Sequence, residues 1–178
     1  MVNLITERLV LRSIVQEDVT PSYVDWLNDP AINKFLECRF AHHTIDSVSS
    51  FVSENQYDHD NILLGLFLKD SNKHIGNIKL GPIDRIHMHS VIGLLIGDKS
   101  CWGKGYASEA IYAVTRYAFE ELKLIKIEAG CYESNAGSLK AFKKVGYIEE
   151  GRLRSRRILD DYREDNILLG ILSEEFGQ

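Results

Sequence analysis

Residues 91–110 read VIGLLIGDKSCWGKGYASEA, and this stretch decides the fold. Its first six residues, 91–96, are almost continuously apolar and predict a strand covered on both faces. A glycine-bearing loop follows at 97–105, and apolar residues at helical spacing then predict a helix over 106–122. Because another strand pattern follows at 124–131, the unit is predicted to be a strand–helix–strand crossover with two parallel strands.

The rest of the chain adds strands on both sides of this unit. The hydrophobic patterns and turn residues predict further strands at 9–14, 62–68, 74–80, 147–158 and 166–172, and helices at 17–28, 44–57 and 136–145. Early antiparallel strands joined to one parallel crossover are typical of an α+β fold, with a mixed central sheet flanked by helices. The 178 residues contain no repeat or linker, so we expect one domain over residues 1–178.

The loop before the central helix has the features of an anion site. The first turn of a helix has unpaired N–H groups, and Gly103 and Gly105 leave them accessible, with Lys104 adding a positive charge. A phosphate or pyrophosphate is the expected guest. Two other interpretations are a turn that binds nothing and a Rossmann loop, although Ser108 replaces the third glycine of that motif. A P-loop is excluded because Gly105, not Ser or Thr, follows Lys104.

Composition excludes several classes of protein. The net charge of −5 argues against general binding to nucleic acid. Cys38, Cys101 and Cys131 lie far apart without a CxxC pair, so we expect reduced thiols, no zinc ribbon and a cytoplasmic location. No apolar run approaches the roughly 18 residues that a membrane span needs, and no signal core is present, so no membrane partner is expected.

Three segments together resemble one known family. The sequence WGKGYASEA at 102–110, with the strand before it, resembles the acetyl-CoA motif of the GNAT N-acetyltransferases, in particular the RimJ/RimL-type branch. TERLVLR at 6–12 is similar to the first strand of that branch. NAGSLKAFKKVGYIEEG at 135–151 is similar to its later helix and following strand. The resemblance spans nearly the whole chain in the same order, and it implies acetyl transfer to a primary amine by direct attack on the thioester.

The resemblance also implies how acetyl-CoA, the expected cosubstrate, would bind. By that match the pantetheine arm would lie along Leu94, Leu95 and Ile96, with Asn135 bonding its amides. The pyrophosphate would be held by loop N–H groups of Trp102, Gly103, Lys104, Gly105, Tyr106 and Ala107. Trp102 stands where the family usually has Gln or Arg. Lys143 and Lys140 are candidates for the adenosine phosphate, although a solvated helix face explains them equally well.

The acid and base of the reaction are not fixed by the motifs. Phe142 occupies the position of the family's usual Tyr acid, and Val91 that of a Glu base, while Ser138 matches a residue that can bond the leaving sulfur. Tyr132 and Glu133 are further catalytic candidates, together with Asp160 and Asp161. Cys131 is expected to be a buried thiol, and Glu109 a structural acid in a first helical turn. His87 and His89 are predicted to share a strand face, but no metal is expected because they lack a third ligand.

The acceptor side is expected to come from the first two helices and the last hairpin. The candidate contacts are Trp26, from the first helix, and Arg154 and Arg156, from the last hairpin. Because Arg152, Arg154 and Arg156 alternate, they would share one strand face. A protein N-terminal amine, a small amine and a nucleotide-linked amino sugar of surface-polysaccharide synthesis all remain open as acceptors. A non-catalytic acetyl-CoA-binding module is the alternative of another class, and an exposed sheet edge could form a homodimer.

Overall fold

A computed structural model describes residues 2–56 and 58–177 of the chain. Eight strands form one sheet in this part of the chain, in the spatial order β1-β2-β3-β4-β5-β6-β8-β7. The strands are β1 Asn3–Ile5, β2 Leu9–Ser13, β3 Ile62–Leu68, β4 His74–Leu80, β5 His89–Ile96, β6 Lys126–Tyr132, β7 Ile148–Leu159 and β8 Tyr162–Leu172. The α-helices are α1 Pro21–Asn28, α2 Pro30–Asn33, α3 Ile45–Gln56, α4 Tyr106–Glu120 and α5 Ala136–Val145.

Antiparallel pairing runs through the sheet except at one place. β5 and β6 are parallel, and α4 connects them, whereas the other neighbouring strands in the described residues are antiparallel. The predicted α+β fold with a mixed sheet and one crossover is therefore confirmed. β1, which the sequence patterns did not predict, forms one edge of the sheet, and β7 forms the other.

The helices cover the two faces of the sheet and create two cores. The larger core joins α4 and α5 to one face, through residues such as Ile111, Val114 and Phe142. The smaller core joins α1 and α3 to the other face, through residues such as Tyr23 and Val52. Each fully buried aliphatic or aromatic side chain of these cores contributes about 1.5–3 kcal/mol relative to an exposed one.

The start of the chain differs from the helix predicted at 17–28. A 3₁₀ turn occupies Gln16–Asp18, and α1 begins only at Pro21. The helix begins there because the Thr20 side chain accepts a hydrogen bond from the Tyr23 N–H at 3.4 Å and because proline suits a first helical position. Asp29 ends α1 as expected, but its carboxylate also caps the Ala31 N–H at 2.8 Å and starts α2. Tyr57, the predicted end of the third helix, lies outside the described residues.

Two predictions about strands were wrong. β5 is not covered on both faces, because Gly93 is exposed and residues 94–96 are half-buried. His87 does not share a strand face with His89, because it lies in the turn before β5. In addition, α4 ends at Glu120 rather than at residue 122, and β6 begins at Lys126 rather than at residue 124.

Candidate active site

The sheet opens between its two parallel strands. β5 and β6 pair only from His89–Lys126 to Val91–Glu128, although β5 continues to Ile96 and β6 to Tyr132. On its other side, β5 stays paired with β4 as far as Ile96. The end of β5 therefore has no strand partner on the β6 side within the described chain. Except for the Ile96 carbonyl, which accepts from Trp102 Nε1 at 2.8 Å, its N–H and C=O groups there need another hydrogen-bonding partner, such as water or a ligand.

A cleft of about 340 Å³ lies at this opening. The residues that line it come from β5, the loop before α4, the start of α5 and the α2 region. It brings together most of the predicted cofactor contacts, namely Leu94, Leu95, Ile96, Trp102, Gly103, Gly105, Tyr106, Ala107, Asn135 and Ser138. Lys104 and Lys143 are not in its lining, and the Lys143 ammonium lies 3.8 Å from the Glu149 carboxylate.

The loop that enters α4 is held in a left-handed conformation. Gly103 has φ 72° and Gly105 has φ 83°, a region that residues with side chains rarely adopt. Gly105 is the N-cap residue of α4, and it has no side chain to accept from the first helical turn. A Cβ on Gly103 would meet open space, so this part of the loop is freely accessible. An anion at this helix end would meet the unpaired N–H groups and the positive end of the helix dipole.

A carboxylate behind the loop fastens it to the first strands. Glu109 accepts hydrogen bonds from the Thr6 hydroxyl at 2.6 Å and from the Arg8 backbone N–H at 2.8 Å. Its other oxygen accepts from Arg8 Nε at 2.7 Å, and Arg8 Nη1 donates to the Lys104 carbonyl at 2.9 Å. Glu109 is structural, as predicted, but through these contacts rather than through the helix dipole alone. Arg8 was missed, since its partners lie about a hundred residues away in the sequence.

The start of α5 brings two polar side chains to the cleft, Asn135 and Ser138. Asn135 caps the helix by accepting from the Ser138 N–H at 3.2 Å, and both residues line the cleft. Ser138 Oγ lies 3.3 Å from Cys131 Sγ. Burial raises the pKa of the Cys131 thiol, so the group stays protonated and is a poor nucleophile at neutral pH. Phe142 is buried in the larger core, as expected for a residue without an acid function.

The other catalytic candidates are engaged elsewhere. The Tyr132 hydroxyl donates to Glu37 Oε1 at 2.9 Å, and Arg157 donates to the same oxygen at 2.8 Å. Burial and the bond to Glu37 raise the pKa of Tyr132. Glu133 forms an ion pair with Arg152, and neither Tyr132 nor Glu133 is in the lining of the cleft. Asp160 and Asp161 lie in the turn between β7 and β8.

The predicted acceptor contacts lie outside the cleft, although Arg154 and Arg156 line a separate cavity together with Arg152. Trp26 is only 9% exposed, and it packs over Gly97, where an added Cβ would lie 2.0 Å from the Trp26 ring. The arginine strip is also interrupted, because the pairing of β7 with β8 shifts between Leu153 and Arg157 and Ser155 has φ 52°. Arg154 and Arg156 are exposed on β7 and outside the lining of the cleft. This placement gives Trp26 a packing role.

A second cavity, of about 470 Å³, was missed by sequence reasoning. Its walls come from α1, α3, the 3₁₀ turn Glu37–Phe40 and strands β3, β4 and β5. Because these segments are far apart in the sequence, no local sequence motif predicts the cavity. Leu36, Leu94 and Leu95 line both this cavity and the cleft. His43 also lines it, with Nε2 at 2.8 Å from the Cys38 carbonyl. Because a carbonyl only accepts, Nε2 carries the hydrogen, and Nδ1 of the neutral ring is left as an acceptor.

The described residues, 2–56 and 58–177, lack two features that would point to other functions. No group of three or more His, Cys, Asp and Glu side chains has the arrangement of a metal site there. Within the same residues, no helix combines the length and apolar character that crossing a membrane requires.

Comparison with known proteins agrees with this geometry. A family model described as an acetyltransferase (GNAT) domain matches residues 8–148. An N-acetyltransferase of Bacillus licheniformis named p20, itself uncharacterized, is 29% identical over 183 residues, which cover 99% of this chain and 99% of the relative.

Solved structures share the fold. The spermidine N-acetyltransferase of Vibrio cholerae, in complex with CoA and spermine, superposes with a TM-score of 0.85 at 21% identity, over 96% of this chain and 98% of that one. Mycobacterium smegmatis RimJ, in complex with CoA-disulfide, gives 0.82 at 21% identity, over 96% of this chain and 84% of that one. At such identities these two structures establish the fold alone. Since the family model spans well over half of the sequence, this chain belongs to the GNAT family and is an N-acetyltransferase.

Proposed function

We propose that this enzyme transfers the acetyl group of acetyl-CoA to a primary amine by direct attack on the thioester. The observation that carries the proposal is the opening between β5 and β6, which leads into the glycine loop at the start of α4. Pantetheine amides would bond the free backbone edge of β5, and the pyrophosphate would bond N–H groups of residues 102–107. Asn135 would bond the pantetheine while also capping α5.

The chemistry asks little of the protein beyond positioning. The amine nitrogen attacks the thioester carbonyl carbon, the new N–C bond forms, and the C–S bond breaks as the CoA thiolate leaves. We propose that a backbone N–H of β5 stabilises the oxyanion, an interaction worth about 3 kcal/mol in comparable sites. Ser138 is the group proposed to hydrogen-bond the leaving sulfur, because it lines the cleft beside Cys131. The proton of the amine must also be removed.

Within the family, we propose membership of the RimJ/RimL-type branch. The sequences at 6–12 and 102–110 support this assignment, and their Thr6, Arg8 and Glu109 are the residues that fasten the loop. Membership of the branch, taken alone, would favour a protein N-terminal amine as the acceptor. The apolar second cavity favours a small-molecule amine instead, so both acceptors are carried into the test.

Two measurements test the proposal. Thermal unfolding with acetyl-CoA at 100 times its Kd should give about 2.7 kcal/mol of stabilisation, or roughly 5–10 °C for a chain of this length, and NAD should give none. Release of free CoA should then depend on added amine. Ser138→Ala should lower kcat about 10-fold while the shift with acetyl-CoA stays.

The outcomes separate the alternatives. A shift with NAD and none with acetyl-CoA would favour the Rossmann interpretation of the loop. A shift with acetyl-CoA, without CoA release for any amine tested, would make the chain a binding module rather than an enzyme.

A further inference from the structure

The second cavity has an unusual lining for an enzyme that acetylates amines. Large apolar side chains form most of it, among them Tyr23, Leu27, Phe51 and Leu63. None of its described lining residues is Asp or Glu, and one cation, Lys79, lies with its Nζ 5.9 Å from the centre of the Phe51 ring. A ligand gains binding free energy in such a site by burying apolar surface. The site offers no carboxylate to pair with the second ammonium group of a polyamine.

The cavity meets the cleft at a single strand. Leu94 packs against the larger core, whereas Leu95 packs against the smaller one, so successive side chains of β5 face opposite sides of the sheet. Both leucines nevertheless line both cavities, together with Leu36. A ligand in the cleft and a ligand in the second cavity would therefore approach each other at residues 94 and 95.

We propose that the second cavity binds the acceptor, and that the acceptor is a small primary amine on an aromatic or branched apolar body. This inference rests on the proposed acetyl transfer in the cleft. Burial of about 100 Å² of apolar surface would contribute roughly 2.5 kcal/mol to binding. A polyamine would instead bring several charges toward Lys79 with no carboxylate to pair them, and a nucleotide sugar would have to desolvate its phosphates among apolar side chains.

An amine in this cavity would also lie beside a proton acceptor. Burial raises the pKa of Tyr23 to about 12 and also raises the pKa of Cys38, so both remain protonated at neutral pH. His43 keeps Nδ1 available, as the bond from Nε2 to Cys38 requires. In the proposed step the amine proton passes to His43 Nδ1 as the N–C bond forms and the C–S bond breaks.

Gly93 offers a substitution that fills the cavity without disturbing the cleft. It lines the second cavity but not the cleft, it is exposed on β5, and an added Cβ would meet no atom within 4 Å. Gly93→Leu should therefore fold normally and occupy the space proposed for the amine. Gly93→Ala is the matched control, because its single methyl leaves most of that space open.

The experiment compares CoA release with 2-phenylethylamine, isopentylamine, spermidine, a nucleotide-linked amino sugar and a peptide with a free N-terminus. We expect the two apolar amines to have the highest kcat/KM, and Gly93→Leu to lower it about 10-fold or more, with Gly93→Ala within about 3-fold. Calorimetric binding of 2-phenylethylamine to the CoA-loaded protein should weaken in parallel. The thermal shift with acetyl-CoA should be the same in all three proteins.

Each other result has one meaning. If acetyl-CoA binds but spermidine, the sugar or the peptide is preferred, or Gly93→Leu changes nothing, the second cavity is not the acceptor site, and acetyl transfer in the cleft stands. If acetyl-CoA itself does not bind, the proposed function fails, and this inference fails with it.

Discussion

Replacing Glu109 with Gln should loosen the loop at the start of α4. The carboxylate accepts from the Thr6 hydroxyl, the Arg8 backbone N–H and Arg8 Nε, at 2.6, 2.8 and 2.7 Å. A glutamine keeps the shape but loses the charge, and its amide nitrogen cannot accept a hydrogen bond. At least one donor therefore loses its partner, and the guanidinium of Arg8 loses the ion pair that holds it against the Lys104 carbonyl.

The expected cost follows from the burial of the two partners. Hydrogen bonds to a charged group contribute about 1.5–3 kcal/mol each. The Glu109 side chain is only 15% exposed, but that of Arg8 is 41% exposed, so solvent reduces the ion pair to about 0.5–1 kcal/mol. We expect Glu109→Gln to lower the free energy of unfolding by about 2 kcal/mol in total, and Tm by roughly 4–8 °C.

Urea unfolding of the variant should be compared with that of Glu120→Gln. Glu120 lies on the same helix, its side chain is 63% exposed, and it faces Arg116 at 3.9 Å. An exposed pair of this kind on one helix contributes about 0.3–0.5 kcal/mol, so this control should stay close to the wild type. Because Arg8 also donates to the loop, Glu109→Gln should weaken acetyl-CoA binding several-fold, whereas Glu120→Gln should not.

The effect should depend on pH in one direction. Burial raises the pKa of Glu109, but hydrogen bonds from Thr6 and Arg8 outweigh burial and hold the pKa below its usual value. The stabilisation is therefore complete above the unfolded pKa of about 4.5, and it is lost as pH falls through the lower folded pKa. The reasoning would be refuted if Glu109→Gln matched Glu120→Gln at pH 7, or if its deficit persisted undiminished at pH 3.

Three further results are expected. Ser138→Ala should slow acetyl transfer about 10-fold in single-turnover measurements without changing the Kd of acetyl-CoA. If the rate and the affinity for acetyl-CoA fell by the same factor, the serine would only shape the cleft. His43→Gln, whose amide nitrogen takes the place of Nε2 and can still donate to the Cys38 carbonyl, should lower kcat by about 100-fold and leave Tm within about 2 °C. An unchanged kcat would exclude His43 as the proton acceptor. Gly97→Ala should lower the free energy of urea unfolding by about 2 kcal/mol, since its Cβ would lie 2.0 Å from the Trp26 ring. In the double variant, Trp26→Leu should remove part of that cost. Strictly additive changes in the free energy of unfolding would contradict the packing.

Local signals in the sequence predicted the order of the elements. The apolar residues at helical spacing in α4 and the glycines at 103 and 105 are patterns within one short segment of sequence. The crossover and the anion loop could therefore both be recognised from that segment. Boundaries were less accurate where a side chain decides them. The hydrophobic pattern joins the 3₁₀ turn to α1, whereas Thr20 caps α1 and makes it begin at Pro21. The pattern also misses α2, which Asp29 caps.

The second cavity could not be predicted in the same way. It joins Tyr23, Phe51 and Lys79 with β5, and only the folded sheet brings these residues together. The alternation of Arg152, Arg154 and Arg156 could not predict their arrangement, because an alternating pattern implies one strand face only while the strand stays in register. Trp26 was a candidate acceptor contact, and the structure buries its ring over Gly97, where the absence of a side chain leaves room for it.

The alternation of β5 separates two tasks that many enzymes combine in one set of side chains. Beyond Val91 its main chain has no strand partner on the β6 side, so the unpaired backbone groups there can bond the amide groups of a ligand whatever side chains the strand has. Position 93 lies in the lining of the second cavity and outside that of the cleft, so under the proposed assignment its residue is free to vary with the amine. A laboratory that wishes to redirect this catalyst to new amines should therefore randomise position 93 first, and should find that most of the resulting library still accepts the same acetyl donor.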